Sequence, residues 1–395
     1  MKTYMFPGQG SQARGMGGSL FDEFPELTDK ADKILGYSIK ELCLSDPNKE
    51  LKNTQFTQPA LYVVNALSYY KQIQQAGETP DYVAGHSLGE FNALLAAECF
   101  DFETGLKLVK KRGELMSQAT DGAMAAILNA TRGQVETLLK ENGFKNVDIA
   151  NYNAPLQIVI SGPADEIAAS QNIFQFDNVM FVPLNTSGAF HSRLMKPAQS
   201  KFESFLKKRK FADPKIPVMA NLTAKPYPKG AVVDYLSKQI SSTVLWSDTI
   251  QSLLKISDQM EFLELGHGDV LTKMIANIKR QLAKAAEKAA PAVQKTETPP
   301  AVASIAPAVA VAAPGTDART EAGAAAPSDN RFALAEQKVS AWNKRHPVGT
   351  KVKSLVMDYG ELTTRTSAVE LFGHRAAVYM EGYNGYFDLD EIAAA

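Results

Sequence analysis

Residues 81–95 read DYVAGHSLGEFNALL: an apolar run ending at Ala84, the pentapeptide Gly85-His86-Ser87-Leu88-Gly89, and a run with Leu88, Phe91, Leu94 and Leu95 at helical spacing. The pattern G-x-S-x-G alone decides little, because three fixed residues of ordinary usage recur by chance in about one chain of this length in ten. Its context decides more. A short buried strand followed at once by an amphipathic helix is the setting of a nucleophile elbow, where the glycines let the backbone turn tightly and the serine stands at the end of a sheet. There the Leu88 N–H and the positive end of the helix would face an oxyanion formed at Ser87. The competing reading of Ser87 is a buried helix cap.

Outward from the elbow, residues 1–281 alternate short apolar runs (TYMF, YVAG, IPVMA, EFLEL) with longer helical patterns. That alternation predicts an α/β domain with a parallel sheet, an α/β-hydrolase-like core. Within it, residues 122–187 read as strand, helix, strand, strand, helix, strand, the order of an inserted ferredoxin-like α+β subdomain. Composition changes after residue 281: residues 282–330 are almost all Ala, Pro, Val, Thr and Glu. With scattered prolines and few large apolar side chains, this segment is expected to be a disordered, extended linker. Beyond it, Phe332, Ala335, Val339 and Trp342 share one face of a short helix. The runs KVKSLVM, ELTTRT, AAVYM and YFDL follow as strands, so residues 331–395 are expected to form a small helix-plus-β-barrel module. His346 and His374 in this module are isolated, with no partner for chemistry.

The bulk composition excludes several classes. Of 395 residues, 45% are hydrophobic and 22% charged, as in an ordinary globular protein. Lys and Arg number 42 against 43 Asp and Glu, so no basic footprint for nucleic acid exists. Cys43 and Cys99 stand alone, with neither a disulfide pattern nor a zinc motif, which fits a reducing cytoplasm. The N-terminal MKTYMFPGQGSQ breaks at Pro7 before a signal-peptide core can form, and no stretch of about 18 apolar residues occurs. A cytoplasmic protein without membrane spans is expected.

A serine nucleophile needs a base. His86 is poorly placed, because adjacent residues on an elbow point apart. His191, in NTSGAFHSRLMKPA after an apolar strand, lies in a loop that can reach across a cleft, and its reference pKa suits alternating base and acid roles. In DFETGLKLVKKRGELMSQ, Leu108 and Leu115 flank Arg112 on one helical stripe while Lys110 and Lys111 can face solvent. A guanidinium in such a place wants an anion, either an internal carboxylate such as Glu90 or Glu114 or a substrate carboxylate held by its fork. The N-terminal FPGQGSQ lacks both a dinucleotide fingerprint and a P-loop ending, but its glycine-flanked Gln9 can present a backbone N–H as a second oxyanion donor.

Taken in order, FPGQGSQ, TQPAL, GHSLGE, KKRGELM, AFHSRLMKP and ELGHGDVLT closely resemble the malonyl-CoA:acyl carrier protein transacylases over about residues 1–281. The resemblance implies Ser87 as nucleophile, His191 as base oriented by a backbone carbonyl, and the Gln9 and Leu88 N–H groups as oxyanion hole. Arg112 is the implied malonyl clamp, with Gln58, Phe190 and His86 placed in the substrate pocket. Phe190 before His191 resembles the malonyl type, since its bulk leaves less room for an α-methyl group. Gly188 departs from the modular enzymes, which usually carry histidine there, and His267 from many fatty-acid enzymes, which usually carry proline. A free-standing acyltransferase with a tether and an added module is most like the trans-acting acyltransferases of polyketide synthases. The resemblance implies malonyl-CoA and holo acyl carrier proteins as partners, no cofactor, no metal, and a monomer. Alternatives are an acyl hydrolase that clears stalled carrier proteins, a fatty-acid-synthesis transacylase, and, for residues 331–392, a docking module without catalysis.

Overall fold

The computed structural model of the chain describes residues 1–119, 121–175, 178–289, 331–355, 361–371, 375–381 and 386–394. These divide into two compact units, residues 1–284 and 285–395. At the centre of the first, β1 (Lys2–Phe6), β2 (Tyr82–Gly85), β7 (Val218–Met219) and β8 (Glu261–Glu264) form an all-parallel sheet in the order β7-β2-β1-β8. Tyr4, Met5, Phe6, Val83 and Ala84 are all buried, which fits strands covered on both faces. The pairing of Phe6 with Gly85 matters for the site. It brings the ends of β1 and β2 level, so the loop after β1 and the elbow after β2 lie side by side.

Helices α1 (Leu20–Glu23), α2 (Pro25–Leu35), α3 (Ile39–Leu44) and α4 (Thr54–Ala76) form the crossover from β1 to β2, and α5 (Gly89–Ala96) and α6 (Phe102–Ser117) follow the elbow. Helix α6 starts at Asp101, whose carboxylate accepts from the Thr104 N–H. After α9 (Lys196–Leu206), β7 and α10 (Val232–Gln239) come α11 (Trp246–Ile256) and α12 (Val270–Ala289). These two lay Trp246, Ile250, Leu253, Ile275 and Ile278 over Met5, Ala84 and Met219 in one core.

Between α6 and α9 run β3 (Gly122–Leu128), α7 (Arg132–Glu141), β4 (Asp148–Ala154), β5 (Gln157–Pro163), α8 (Ala164–Ser170) and β6 (Met180–Pro183). Their four strands make an antiparallel sheet in the order β4-β5-β3-β6 around a core that includes Ile127, Val135, Ile158, Ile160, Ile167 and Phe174. Strand β4 is stitched to the rest of the unit by Val244, which donates to the Ala150 carbonyl and accepts from the Tyr152 N–H, both at 2.9 Å.

In the second unit, α13 (Arg331–Arg345) precedes β9 (Lys351–Ser354), β10 (Leu362–Thr363), β11 (Val369–Leu371), β12 (Arg375–Tyr379), β13 (Tyr386–Asp388) and β14 (Ile392–Ala394). These strands make two three-stranded antiparallel sheets, β10-β9-β14 and β11-β12-β13. Val339 and Trp342 pack on Val352, Leu362, Val378, Met380 and Ile392, and the His346 ring lies tilted against Trp342. His374 lies outside the described residues.

Three sequence expectations change. Helix α12 does not stop at the composition change after residue 281 but runs to Ala289, because Ala, Lys and Glu are strong helix formers and the first proline comes at residue 291. Strands β11 and β14 carry no strong β signal, being short and in one case Ala-rich. Lys110 does not simply face solvent: its ammonium donates to the Ile34 and Leu35 carbonyls at the C-terminal end of α2. Residues 290–330, most of the expected linker, lie outside the described residues. Among the described residues no helix is long and apolar enough to cross a membrane, and no group of His, Cys, Asp or Glu could hold a metal ion.

Candidate active site

The elbow is built by what its glycines lack. A Cβ on Gly85 would lie 1.9 Å from the Gly89 carbonyl carbon, and one on Gly89 would lie 2.0 Å from the Phe6 carbonyl oxygen. One on Gly8 would meet the His86 carbonyl oxygen at 2.3 Å. All three contacts are with backbone, which cannot swing aside. The missing side chains therefore let β1, β2, α5 and the Pro7-Gly8-Gln9 loop close on one point. Gly85→Ala or Gly89→Ala should destabilise the fold by about 3 kcal/mol, the upper range for overpacking; a urea midpoint unchanged from wild type would contradict this.

At that point Ser87 has φ 50°, a left-handed conformation uncommon for a non-glycine residue. Its N–H donates to Asn221 Oδ1 at 2.7 Å, while Asn221 Nδ2 donates to the Gly85 carbonyl, so one amide clamps both sides of the turn. The Leu88 and Gln9 N–H groups have no acceptor among the described residues, and Leu88 is the N-cap of α5, whose dipole adds to the attraction for an anion. The Gln9 side chain donates to Thr54 Oγ1, which in turn meets Ser187 Oγ at 3.1 Å.

His191 lies 2.7 Å from Ser87 Oγ through Nε2, and its Nδ1 faces the Gln239 carbonyl at 2.9 Å. That carbonyl only accepts, so it holds the proton on Nδ1 and leaves Nε2 as the acceptor for the serine proton. His191 also has a positive φ, 58°, and its N–H is tied to the Ile240 carbonyl. Burial, then the Arg112 charge, push its pKa down to about 3. The imidazole therefore rests neutral, ready to accept a proton.

Arg112 is buried on α6 between Leu108 and Leu115. Its Nη1 donates to Gln58 Oε1 at 2.8 Å; its Nη2 donates to Gln239 Oε1 at 2.9 Å and to Ser87 Oγ at 3.1 Å. Its Nε has no partner among the described residues. Every group it meets is neutral. Of the two internal carboxylates considered, Glu114 pairs with Lys111 at the surface, and Glu90 reaches Arg112 only through Gln239. Burial draws the Arg112 pKa down to about 10, with Glu90 opposing the shift, so the guanidinium stays charged at neutral pH. The site thus holds a buried cation beside the nucleophile with no fixed counter-ion, which calls for an anionic substrate group.

Gln58 is buried and completes this cradle, its Nε2 donating to Met116 Sδ. Phe190 is buried next to His191, and a Cβ on Gly188 would lie 2.2 Å from the Ala119 carbonyl oxygen. The histidine that modular enzymes carry at that position would not fit here without moving backbone. His86 does not join Ser87. Its Nε2 meets Asn153 Oδ1 at 2.8 Å and its ring abuts Trp246, so it links the elbow to β4.

The acyl transferase domain model matches residues 3–311. The chain belongs to the acyl transferase domain family. This acyl transferase is 57% identical over 282 residues to the polyketide biosynthesis malonyl CoA-acyl carrier protein transacylase PksC of Bacillus subtilis, covering 71% of this chain and 98% of that one. Its fold resembles the crystal structure of a malonyl CoA-acyl carrier protein transacylase from Burkholderia pseudomallei, with TM-score 0.70, 60% identity, and coverage of 71% of this chain and 98% of that chain. It also resembles a malonyl-transacylase solved in complex with its type II PKS acyl-carrier protein, with TM-score 0.67, 32% identity, and coverage of 71% and 93%.

Sequence reasoning missed Asn221, Gln239 and Thr54 in this acyl transferase. Gln239 carried a usable signal: it stands on the buried stripe of α10 with Val232 and Leu236, as Arg112 stands between leucines on α6. Its charge neutrality hid it.

The depressed pKa of His191 makes a stability prediction. Between its folded value of about 3 and the reference 6.5, the unfolded chain binds a proton that the folded chain does not. The contribution of this group is therefore intact above pH 6.5 and falls as pH drops, by about 2 kcal/mol at pH 5. His191→Asn removes the effect, so its stability relative to wild type should improve by about that amount between pH 8 and pH 5 in urea titrations. A difference that does not vary with pH would mean the folded imidazole already carries a proton.

Proposed function

We propose that this acyltransferase moves a malonyl group from malonyl-CoA to the phosphopantetheine thiol of a holo acyl carrier protein, acting in trans for polyketide biosynthesis. The observation that carries the reading is Arg112, a buried cation without a fixed carboxylate, 3.1 Å from the Ser87 hydroxyl. A malonyl group esterified to Ser87 has its free carboxylate one methylene beyond the ester carbonyl, within reach of that guanidinium. The solved acyl-carrier-protein complex of a relative supports the carrier-protein partner.

In the first half-reaction Ser87 Oγ attacks the thioester carbonyl while His191 Nε2 takes its proton. The Leu88 and Gln9 N–H groups hold the oxyanion. The C–S bond then breaks, and His191 returns the proton to the departing CoA sulfur. In the second, His191 takes the proton of the carrier thiol, the sulfur attacks the malonyl-serine carbonyl, and the C–O bond breaks with the proton returned to Ser87 Oγ. No step calls for a cofactor of the enzyme's own. We read the enzyme as a cytoplasmic monomer, with residues 122–187 as a ferredoxin-like insertion in an α/β-hydrolase-like core and residues 331–395 as a separate β-rich module.

A hydrolase acting on varied uncharged acyl chains would gain nothing from a buried guanidinium at the nucleophile. Intact-protein mass spectrometry separates the two. On mixing with malonyl-CoA the enzyme should gain one malonyl group, and adding holo carrier protein should move that mass to the carrier. Loss of the acyl group to water without carrier acylation would favour hydrolysis.

A further inference from the structure

Glu90 is buried on α5 and touches no substrate-facing atom, yet it sits at the root of the site. Its Oε1 accepts from the Asn221 N–H at 2.8 Å and from the Tyr227 hydroxyl at 2.9 Å. Its Oε2 accepts from Gln239 Nε2 at 2.6 Å. Gln239 Nε2 also donates to the Ser87 carbonyl at 2.7 Å, which turns Gln239 Oε1 onto Arg112. The orientation has one solution, because Arg112 can only donate while the Glu90 carboxylate and the Ser87 carbonyl can only accept. Only a carboxylate at position 90 can accept from both the Asn221 N–H and the Gln239 amide at once; an amide there must set donor against donor on one side.

Resting on the transferase reading above, we propose that Glu90 is a positioning residue for substrate selection. By fixing the Gln239 amide it presents Arg112 with a neutral carbonyl and keeps the only buried carboxylate of this network one residue removed. The guanidinium then remains aimed at Ser87 and takes its anion from the acyl group.

The test exchanges the two side chains. In Glu90→Gln with Gln239→Glu, the amide at 90 accepts from Asn221 and Tyr227 and donates to the new carboxylate, whose other oxygen meets Arg112. One carboxylate is still present, every bond but those from the position-239 side chain to the Ser87 carbonyl and, at 3.4 Å, to Asn221 Oδ1 is restored, and the backbone carbonyl of residue 239 still holds His191. The anion, however, now sits on Arg112. Self-acylation by malonyl-CoA and by acetyl-CoA would be compared at pH 8, above the value of about 7 to which burial pushes the Glu90 carboxyl. The expected result is a malonyl-over-acetyl preference lowered roughly tenfold or more, with the malonyl rate falling further than the acetyl rate. A purely structural role for Glu90 predicts instead that the repaired network keeps the preference, and that result, or an equal fall in both rates, overturns the inference. If the exchanged protein does not fold, Gln239→Met serves: it removes the carbonyl from Arg112, so an unchanged preference overturns the inference and a reduced one supports it. Wild type run alongside keeps the two readings apart, since absence of a malonyl adduct there defeats the transferase reading itself.

Discussion

Replacing Ser87 with alanine should abolish the malonyl adduct and slow acylation of the carrier protein by about 10⁴-fold or more. The argument is geometric. Everything around the elbow aims at one oxygen: His191 Nε2 lies 2.7 Å from it and Arg112 Nη2 lies 3.1 Å from it. Among the described residues no other hydroxyl meets both groups. With the serine gone, the carrier thiol would have to attack malonyl-CoA directly, and both large substrates would have to occupy the cleft together. His191→Ala should be less severe, on the order of 10³-fold, because the oxyanion donors remain and Arg112 still donates to the serine oxygen. The check is a single-turnover mass measurement on both variants. A malonyl adduct on Ser87→Ala at the wild-type rate would mean that the acyl group is carried elsewhere.

How much of this was legible beforehand depended on what kind of group did the work. Ser87, His191 and Arg112 are chemically conspicuous, and Arg112 stood out because a charge on an apolar helical stripe has to be explained. The glycines of the elbow were legible as a pattern, though the reason for each, a backbone atom within about 2 Å of a would-be Cβ, appears only once β1 and β2 are paired. The group that orients His191 was out of reach, because a backbone carbonyl belongs to every residue and leaves no mark in the sequence. Glu90 was legible as a charge but not as a relay: its link to Arg112 passes through Gln239, which comes from a helix far along the chain. The parallel strands could be read from their apolar runs, whereas β11 and β14, three residues each, fall below the length at which a two-residue alternation can be recognised. The early linker residues went wrong for the opposite reason. Composition marked the change of character at residue 282, but Ala-rich sequence prolongs a helix that is already nucleated.

Arg112→Gln should lower the efficiency of self-acylation by malonyl-CoA by roughly a hundredfold or more while leaving acetyl-CoA unaffected or improved. A carboxylate held by the guanidinium gains charge-assisted bonds of about 1.5–3 kcal/mol each, and two such bonds suffice for that factor. An acetyl group in the wild-type site leaves the buried cation without an anion, so removing the charge lifts a penalty that only acetyl bears. The fold should tolerate the change, because a glutamine amide can still donate to the Gln58 or Gln239 carbonyl that Arg112 now holds. A second effect separates loss of charge from loss of shape. After burial, the Arg112 charge is the next cause of the low His191 pKa. Without it the imidazolium is less disfavoured and the His191 pKa moves up toward its ordinary value. Since the base must be neutral, the acidic limb of the acetyl-CoA reaction should shift to higher pH in Arg112→Gln than in wild type. The same electrostatics act in the native reaction: a malonyl carboxylate on Arg112 offsets the charge that depresses His191, making the imidazole a stronger base when the correct acyl group is bound. Preference should therefore appear in turnover as well as in binding. The measurement is a pH profile of self-acylation with each thioester in both proteins. A malonyl preference that survives Arg112→Gln would remove Arg112 as the clamp, and an unshifted acetyl limb would break the link to His191.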